Sequence, residues 1–230
     1  MGAVAGQPHF VFRRFFTAVP EGGIKERNMK TIYLVRHGET LANRQGILQG
    51  WSNNPLDDTG RKQASALVTR AARVPLDALY TSDLIRTRET AAPLAAARGM
   101  EAKALPGLRE ISFGKWDGHH LREIQEKDPD TLRDIFLKPG QVDLEAEEDL
   151  AASQKRGWET FRELVDQMEP EGTILCVSHG GLIRLLVCQI LGFPIDNMWR
   201  MSLANTAFVQ VVQTADYGFR VDKLNDMGML

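Results

Sequence analysis

Residues 29–38 read MKTIYLVRHG, a polar start and a run of apolar and β-branched side chains that stops at Arg36-His37-Gly38. Its length and β-branching predict a buried strand over TIYLV, residues 31–35. A second segment has the same grammar. GTILCVS, the most apolar of these runs, stops at His179-Gly180-Gly181, and GGLIRLLVCQILG behind it reads as a helix. Between the two, DDTGRKQASALVTRAARV predicts a helix capped at Asp57, Asp58 or Thr59, with Ala64, Leu67, Val68 and Ala71 apolar. LDALYTS reads as a strand, DLIRTRETAAPLAAARG as an Ala-rich helix with Pro93 as a candidate kink and Gly99 as its end, and EAKALPGL as a shorter strand. Two helical segments around 119–137 and a long helix ending near Met168 come before the GTILCVS strand; NTAFVQVVQ makes a fifth strand. Strands and helices that alternate in this way, with strands buried on both faces, predict an α/β fold: a three-layer sandwich around a mostly parallel sheet.

Composition narrows the partners. The 230 residues hold 28 basic and 30 acidic side chains, with a pI near 6.2. A nucleic-acid or membrane-surface protein would carry a basic excess or block, so neither partner is expected. No run reaches the roughly 18 to 20 apolar residues needed to span a bilayer. Cys176 and Cys188 sit inside apolar runs, which predicts buried thiols in a reducing, cytoplasmic compartment. A homodimer is left open.

The charge is unevenly placed. Residues 1–28 contribute +2 and residues 29–230 contribute −4. A targeting peptide, a disordered or surface-packing tail carrying Phe10, Phe12, Phe15 and Phe16, and a start assigned upstream of Met29 are three readings of the first segment. The tail or the misassigned start is the expected one, with a single catalytic domain over 29–230.

The chemistry gathers where strands end. In open α/β sheets, ligands bind beyond the carboxyl ends of the strands. Two His-Gly steps lie at such ends, joined by Arg36 and by Arg86 a few residues after LYTS. Forked guanidinium donors suit phosphate oxygens, and glycines leading toward helix N-termini let backbone amides approach an anion. A neutral imidazole can attack phosphorus, while Arg36, Arg86 and a protonated second histidine stabilise the equatorial oxygens. The leaving alkoxide needs a proton. Glu110 in LREISFGKWDG is the candidate donor, with Asp83, Glu89 and Asp117 as competitors on position alone. His119 and His120 are adjacent, and the chain has no His-x-x-x-His or Cys-x-x-Cys, so no metal site is expected. Met198 and Trp199 are expected in the core or a pocket wall.

Taken as an ordered set, YLVRHGETLANRQGILQG, DDTGRKQA, SDLIRTRETA, LREISFGKWDG and VSHGGLIRLL resemble the histidine phosphatase superfamily, with its phosphoglycerate mutase-like fold, over residues 30 to about 210. The resemblance implies His37 as the nucleophile that becomes a phosphohistidine. It implies Arg36, Arg86 and His179 as the rest of the phosphate pocket, and Glu110 as the proton donor. Asn43, Gln49, Gly50 and the backbone at Gly180 match positions that line the substrate pocket. Trp116 would support Glu110 by packing, and Thr40 would donate a hydrogen bond or cap the turn. No cofactor is implied, and the partner is a small phosphorylated metabolite.

Mutases of this family carry a long basic insertion between the glutamate and the second histidine. Here the interval is short and acidic from Asp143 to Asp149, which favours a phosphatase over a cofactor-dependent phosphoglycerate mutase. A low-turnover phospho-ligand binding module is the reading from another class. FGKWDGHHLREI and VSHGGLIRLLVCQILGFPIDNMW most resemble α-ribazole-5'-phosphate phosphatases. Relatives often have Gly-Glu-Ser where this chain reads PGQVDLEAEEDL. That acidic run is expected to be a solvated helix start, since acids suit a helix N-terminus.

Overall fold

The computed structural model describes residues 29–214 and 218–230; the expectations for residues 1–28 lie outside the described residues. Among the described residues six strands form one sheet: β1 (Lys30–Arg36), β2 (Ala78–Thr81), β3 (Ala102–Ala104), β4 (Thr173–Ser178), β5 (Phe208–Thr214) and β6 (Gly218–Asp226). Their order is β3-β2-β4-β1-β5-β6. The first four are parallel, β5 runs antiparallel to β1, and β6 antiparallel to β5. The two most apolar strands, β1 and β4, lie side by side in the middle, and every residue of β4 is buried.

Alternation along β1 sends Ile32 and Leu34 to one face and Tyr33 and Val35 to the other. The first face packs against α6 (Leu150–Asp166) and α7 (Gly180–Leu191) through Phe161, Leu164, Leu182 and Leu186. The second packs against α2 (Asp58–Arg70) and α3 (Ile85–Arg98) through Leu67, Ala91 and Leu94. This is the three-layer arrangement expected from the sequence. A third cluster joins α4 (Leu121–Lys127) and α5 (Pro129–Leu137) to the segment 111–116 and to Leu185, Cys188 and Met198.

Local chemistry explains most boundaries. Asp57 caps α2 by accepting from the Gly60 amide, and Gly99 and Gly192 end α3 and α7 at φ of 61° and 67°, where a side chain would be strained. One expectation needs correction: the sheet has a sixth strand that the sequence reading omits. In β6 only Phe219, Val221 and Leu224 are apolar, because the strand sits at the sheet edge and is exposed along one face. The charged Arg220, Asp222 and Lys223 deter pairing of that edge with another strand.

Cys176 and Cys188 are free thiols in the core. Burial pushes them up to about 12 and about 11, so neither is a thiolate at neutral pH. No helix among the described residues is long and apolar enough to cross a membrane.

Candidate active site

In the β1–β4 ladder Arg36 is the register partner of Ser178, so His37 and His179 leave adjacent parallel strands at the same level. Their rings stand 5.3 Å apart at 60°. Both are almost wholly buried. Nδ1 of His37 lies 2.7 Å from the Gly38 carbonyl, which can only accept, so Nδ1 carries the proton and Nε2 keeps its lone pair. His179 has the opposite tautomer. Arg86 Nε donates to its Nδ1 at 3.2 Å, placing the proton on Nε2, which is buried and has no partner. One imidazole thus offers an acceptor and the other a donor.

Both histidines titrate well below the usual imidazole range. For His37 burial is the main cause, followed by the charges of Arg86 and Arg36; for His179 it is burial, then Arg86 and His37. The expectation of a protonated second histidine is therefore corrected. A guanidinium already donates to the nitrogen that an imidazolium would have to protonate, and His179 serves as a neutral donor.

Arg86 is fully buried, and burial lowers it to about 10, against the opposing pull of Glu110 and Asp117. Besides His179 it donates to the carbonyls of Ser52 and Gly50, both at 2.7 Å, which leaves two of its five N–H groups for a ligand. Gly50 reaches this position at φ 41°, and a Cβ there would meet the Asp117 carboxylate at 2.0 Å. Arg36 donates from Nη1 to the Leu203 carbonyl at 2.7 Å, and its buried Nε has no partner.

Glu110 comes in from the loop after β3. Its Oε1 accepts from the amides of Ile111 at 3.0 Å and Leu182 at 2.9 Å, and its Oε2 from Gly181 at 3.2 Å. This corrects the picture of α7 as an open phosphate cradle, since the carboxylate takes two amides of its first turn and leaves that of Gly180. The other His-Gly step does not run directly into a helix either. After Gly38 the chain turns before the short α1 (Leu41–Gln45), which Thr40 caps.

The competing acids are engaged elsewhere. Asp83 pairs with Arg109, Glu89 accepts from the Leu56 amide, and Asp117 accepts from the amides of Trp51 and Phe113. Asn43 Oδ1 is occupied by Thr40 and Asn205, and Gln49 Oε1 by the Thr40 hydroxyl, so each turns its amide nitrogen free as a donor. His119 and His120 are paired with Glu123 and the Gln45 carbonyl, away from this site. Among the described residues no group of three His, Cys, Asp or Glu side chains could hold a metal.

Arg36, His37, Asn43, Gln49, Gly50, Arg86, Glu110 and Gly180 all border one cavity of about 140 Å³. His179 does not line it; it is fully buried against His37 and Arg86. Larger clefts occur beside Asp77 and Gly172 and beside Leu41 and Arg61, but neither contains a histidine. The sequence reading missed Arg184, which also lines the cavity. Its signal was present, as the one charged residue in the twelve-residue apolar helix α7. Arg184 donates to the carbonyls of Met201 and Gly180 and stacks 5.4 Å over Trp199. Trp199 itself forms a cavity wall and Met198 is fully buried, as expected for that turn.

Support for Glu110 is richer than packing by Trp116, which is buried in the cluster with Ile111 and Phe113. Trp51 Nε1 donates to the Glu110 carbonyl at 2.7 Å, under the guanidinium of Arg109. Arg156 donates to the carbonyls of Gly107, Arg109 and Glu110 and pairs with Glu148. The acidic run is accordingly a clasp as well as a helix start: Glu145 pairs with Lys115, Glu147 accepts from Ser112, Glu148 holds Arg156 and Asp149 caps α6.

The phosphoserine phosphatase 1 of Hydrogenobacter thermophilus is 32% identical over 180 residues, covering 78% of this chain and 85% of that protein. A probable phosphoglycerate mutase GpmB of Shigella boydii is 34% identical over 188 residues, covering 80% and 85%. The crystal structure of the α-ribazole phosphatase from Shigella flexneri superposes with a TM-score of 0.75 at 26% identity, covering 87% of this chain and 98% of that one. The profile of the histidine phosphatase superfamily (branch 1) matches residues 32–227, and with the paired histidines at the ends of β1 and β4 this places the chain in that superfamily.

Proposed function

We propose that the protein hydrolyses small phosphomonoesters through a phosphohistidine on His37, without a metal. The observation that carries this reading is the pair of opposed tautomers, an imidazole lone pair at His37 Nε2 beside an unpartnered N–H at His179 Nε2. In the first step Nε2 attacks phosphorus and the bond to the alcohol oxygen breaks, with Glu110 passing a proton from Oε2 to that oxygen. Arg36 Nε, the two free N–H groups of Arg86, His179 Nε2 and the amide nitrogens of Asn43 and Gln49 stabilise the equatorial oxygens. In the second step water attacks the phosphohistidine, Glu110 takes up its proton, and inorganic phosphate leaves with the neutral imidazole restored.

Within this chemistry α-ribazole 5'-phosphate is the candidate substrate, supported by the FGKWDGHHLREI block and the likeness to the Shigella flexneri phosphatase. The likeness to a probable mutase motivates the second reading. Against it stands the short interval from Glu110 to His179, whose acidic residues are engaged in the clasp.

The deciding experiment is a panel of phosphorylated metabolites assayed for phosphate release in the presence of EDTA, including α-ribazole 5'-phosphate, O-phosphoserine and 3-phosphoglycerate. Phosphatase activity is expected. Conversion of 3-phosphoglycerate to 2-phosphoglycerate without phosphate release would establish a mutase instead, and tight binding with background turnover a binding module. His37→Ala is expected to abolish both phosphate release and acid-labile labelling, and full labelling in that variant would remove the nucleophile assignment.

A further inference from the structure

The phosphate cavity has an annex. A second cavity of about 190 Å³ shares Leu48, Phe113 and Trp199 with it as common walls, and is closed by residues that include Trp116, Ile135 and Phe136. Every side chain lining it is aliphatic or aromatic. Phe136 is 47% exposed, an unusual position for a phenyl ring, and stands 5.6 Å from Trp199 at the opening.

We infer that the annex receives the alcohol portion of the substrate, and that this portion is a flat, largely apolar ring system. The inference rests on the phosphatase reading and narrows it to a substrate class. Zwitterionic or carboxylate-bearing alcohols, as in phosphoserine or phosphoglycerate, fit poorly. The annex offers them no charge. An aryl nucleoside 5'-phosphate of the α-ribazole kind belongs to the fitting class.

The test separates this inference from the reading beneath it. Binding of 2-(naphthyl)ethylphosphonate and ethylphosphonate, measured by calorimetry, probes the annex without requiring turnover. Release of phosphate from p-nitrophenyl phosphate probes the phosphatase reading alone. Burial of one aromatic group's worth of surface predicts that the naphthyl compound binds about 10- to 100-fold more tightly. Phe136→Asp, at the exposed mouth, is expected to bring that ratio to within about threefold of unity. On wild-type protein, kcat/KM for arylalkyl phosphates is expected to exceed that for O-phosphoserine by at least about tenfold, chiefly through KM. Equal binding of the two phosphonates by the wild type, or O-phosphoserine handled as well as the arylalkyl esters, would overturn the inference even where p-nitrophenyl phosphate is hydrolysed. A naphthyl preference undiminished in Phe136→Asp would do the same.

Discussion

At the scale of single residues, the site works by fixing where protons are. The Gly38 carbonyl and Arg86 Nε hold His37 and His179 in complementary tautomers, so attack and charge stabilisation need no proton rearrangement between the two rings. In the proposed mechanism the leaving group takes its proton from Glu110. Replacing it by Gln keeps the size and an accepting oxygen but removes the acidic proton and sets an –NH2 where the other carboxylate oxygen accepted a backbone amide. Glu110→Gln is expected to lower kcat on alkyl phosphates by roughly 10²- to 10⁴-fold, and far less on p-nitrophenyl phosphate, whose phenolate leaves unprotonated. Equal losses on both esters would show that Glu110 positions the substrate and does not donate.

At the scale of elements, the N-terminus of α7 and the clasp around 107–115 together aim that carboxylate. A Cβ on Gly181 would lie 2.6 Å from Glu110 Oε1 and 2.9 Å from Ile111, so Gly181→Ala must displace one of them. A shift of this size is expected to reduce alkyl phosphate turnover by about 10- to 100-fold and to leave p-nitrophenyl phosphate less affected; unchanged ratios would argue that the carboxylate is not held by this turn. Arg156 acts from further away, through three carbonyls and Glu148. Arg156→Met leaves Glu148 and those carbonyls without their shared cation. It is expected to destabilise the fold by about 1–3 kcal/mol in urea titrations and to weaken the same alkyl-ester activity. A variant of wild-type stability would mean that the clasp is dispensable.

At the scale of the whole molecule, two buried neutral histidines tie stability to pH. Each titrates in the native state well below its unfolded value near 6.5. The unfolded chain therefore binds more protons as pH falls below about 6.5, and stability declines through that window, by on the order of 1 kcal/mol per pH unit from each histidine. Above that window the contribution is fully present. Urea midpoints at pH 7.5 and 5.5 should show this decline, with the slope reduced in His37→Asn. A native state equally stable at both pH values would rule out buried neutral imidazoles.

The layers and the inventory of the site could be read from the chain alone. Apolar runs of strand length that end in Arg-His-Gly and His-Gly-Gly cannot be buried without bringing their polar ends out at a sheet edge, so β1, β4, His37 and His179 were legible from MKTIYLVRHG and GTILCVSHGG. Edge strand β6 was not, because its half-solvated face breaks the apolar pattern that marks a strand. The tautomer of His179, the seating of Glu110 on α7, the clasp made by the acidic run and the apolar annex beside Trp199 emerge only in the folded chain. Each depends on groups distant in the chain, such as Arg86 on His179 and Leu182 on Glu110, and hydrogen-bond direction and desolvation exist only once the fold has brought those groups together.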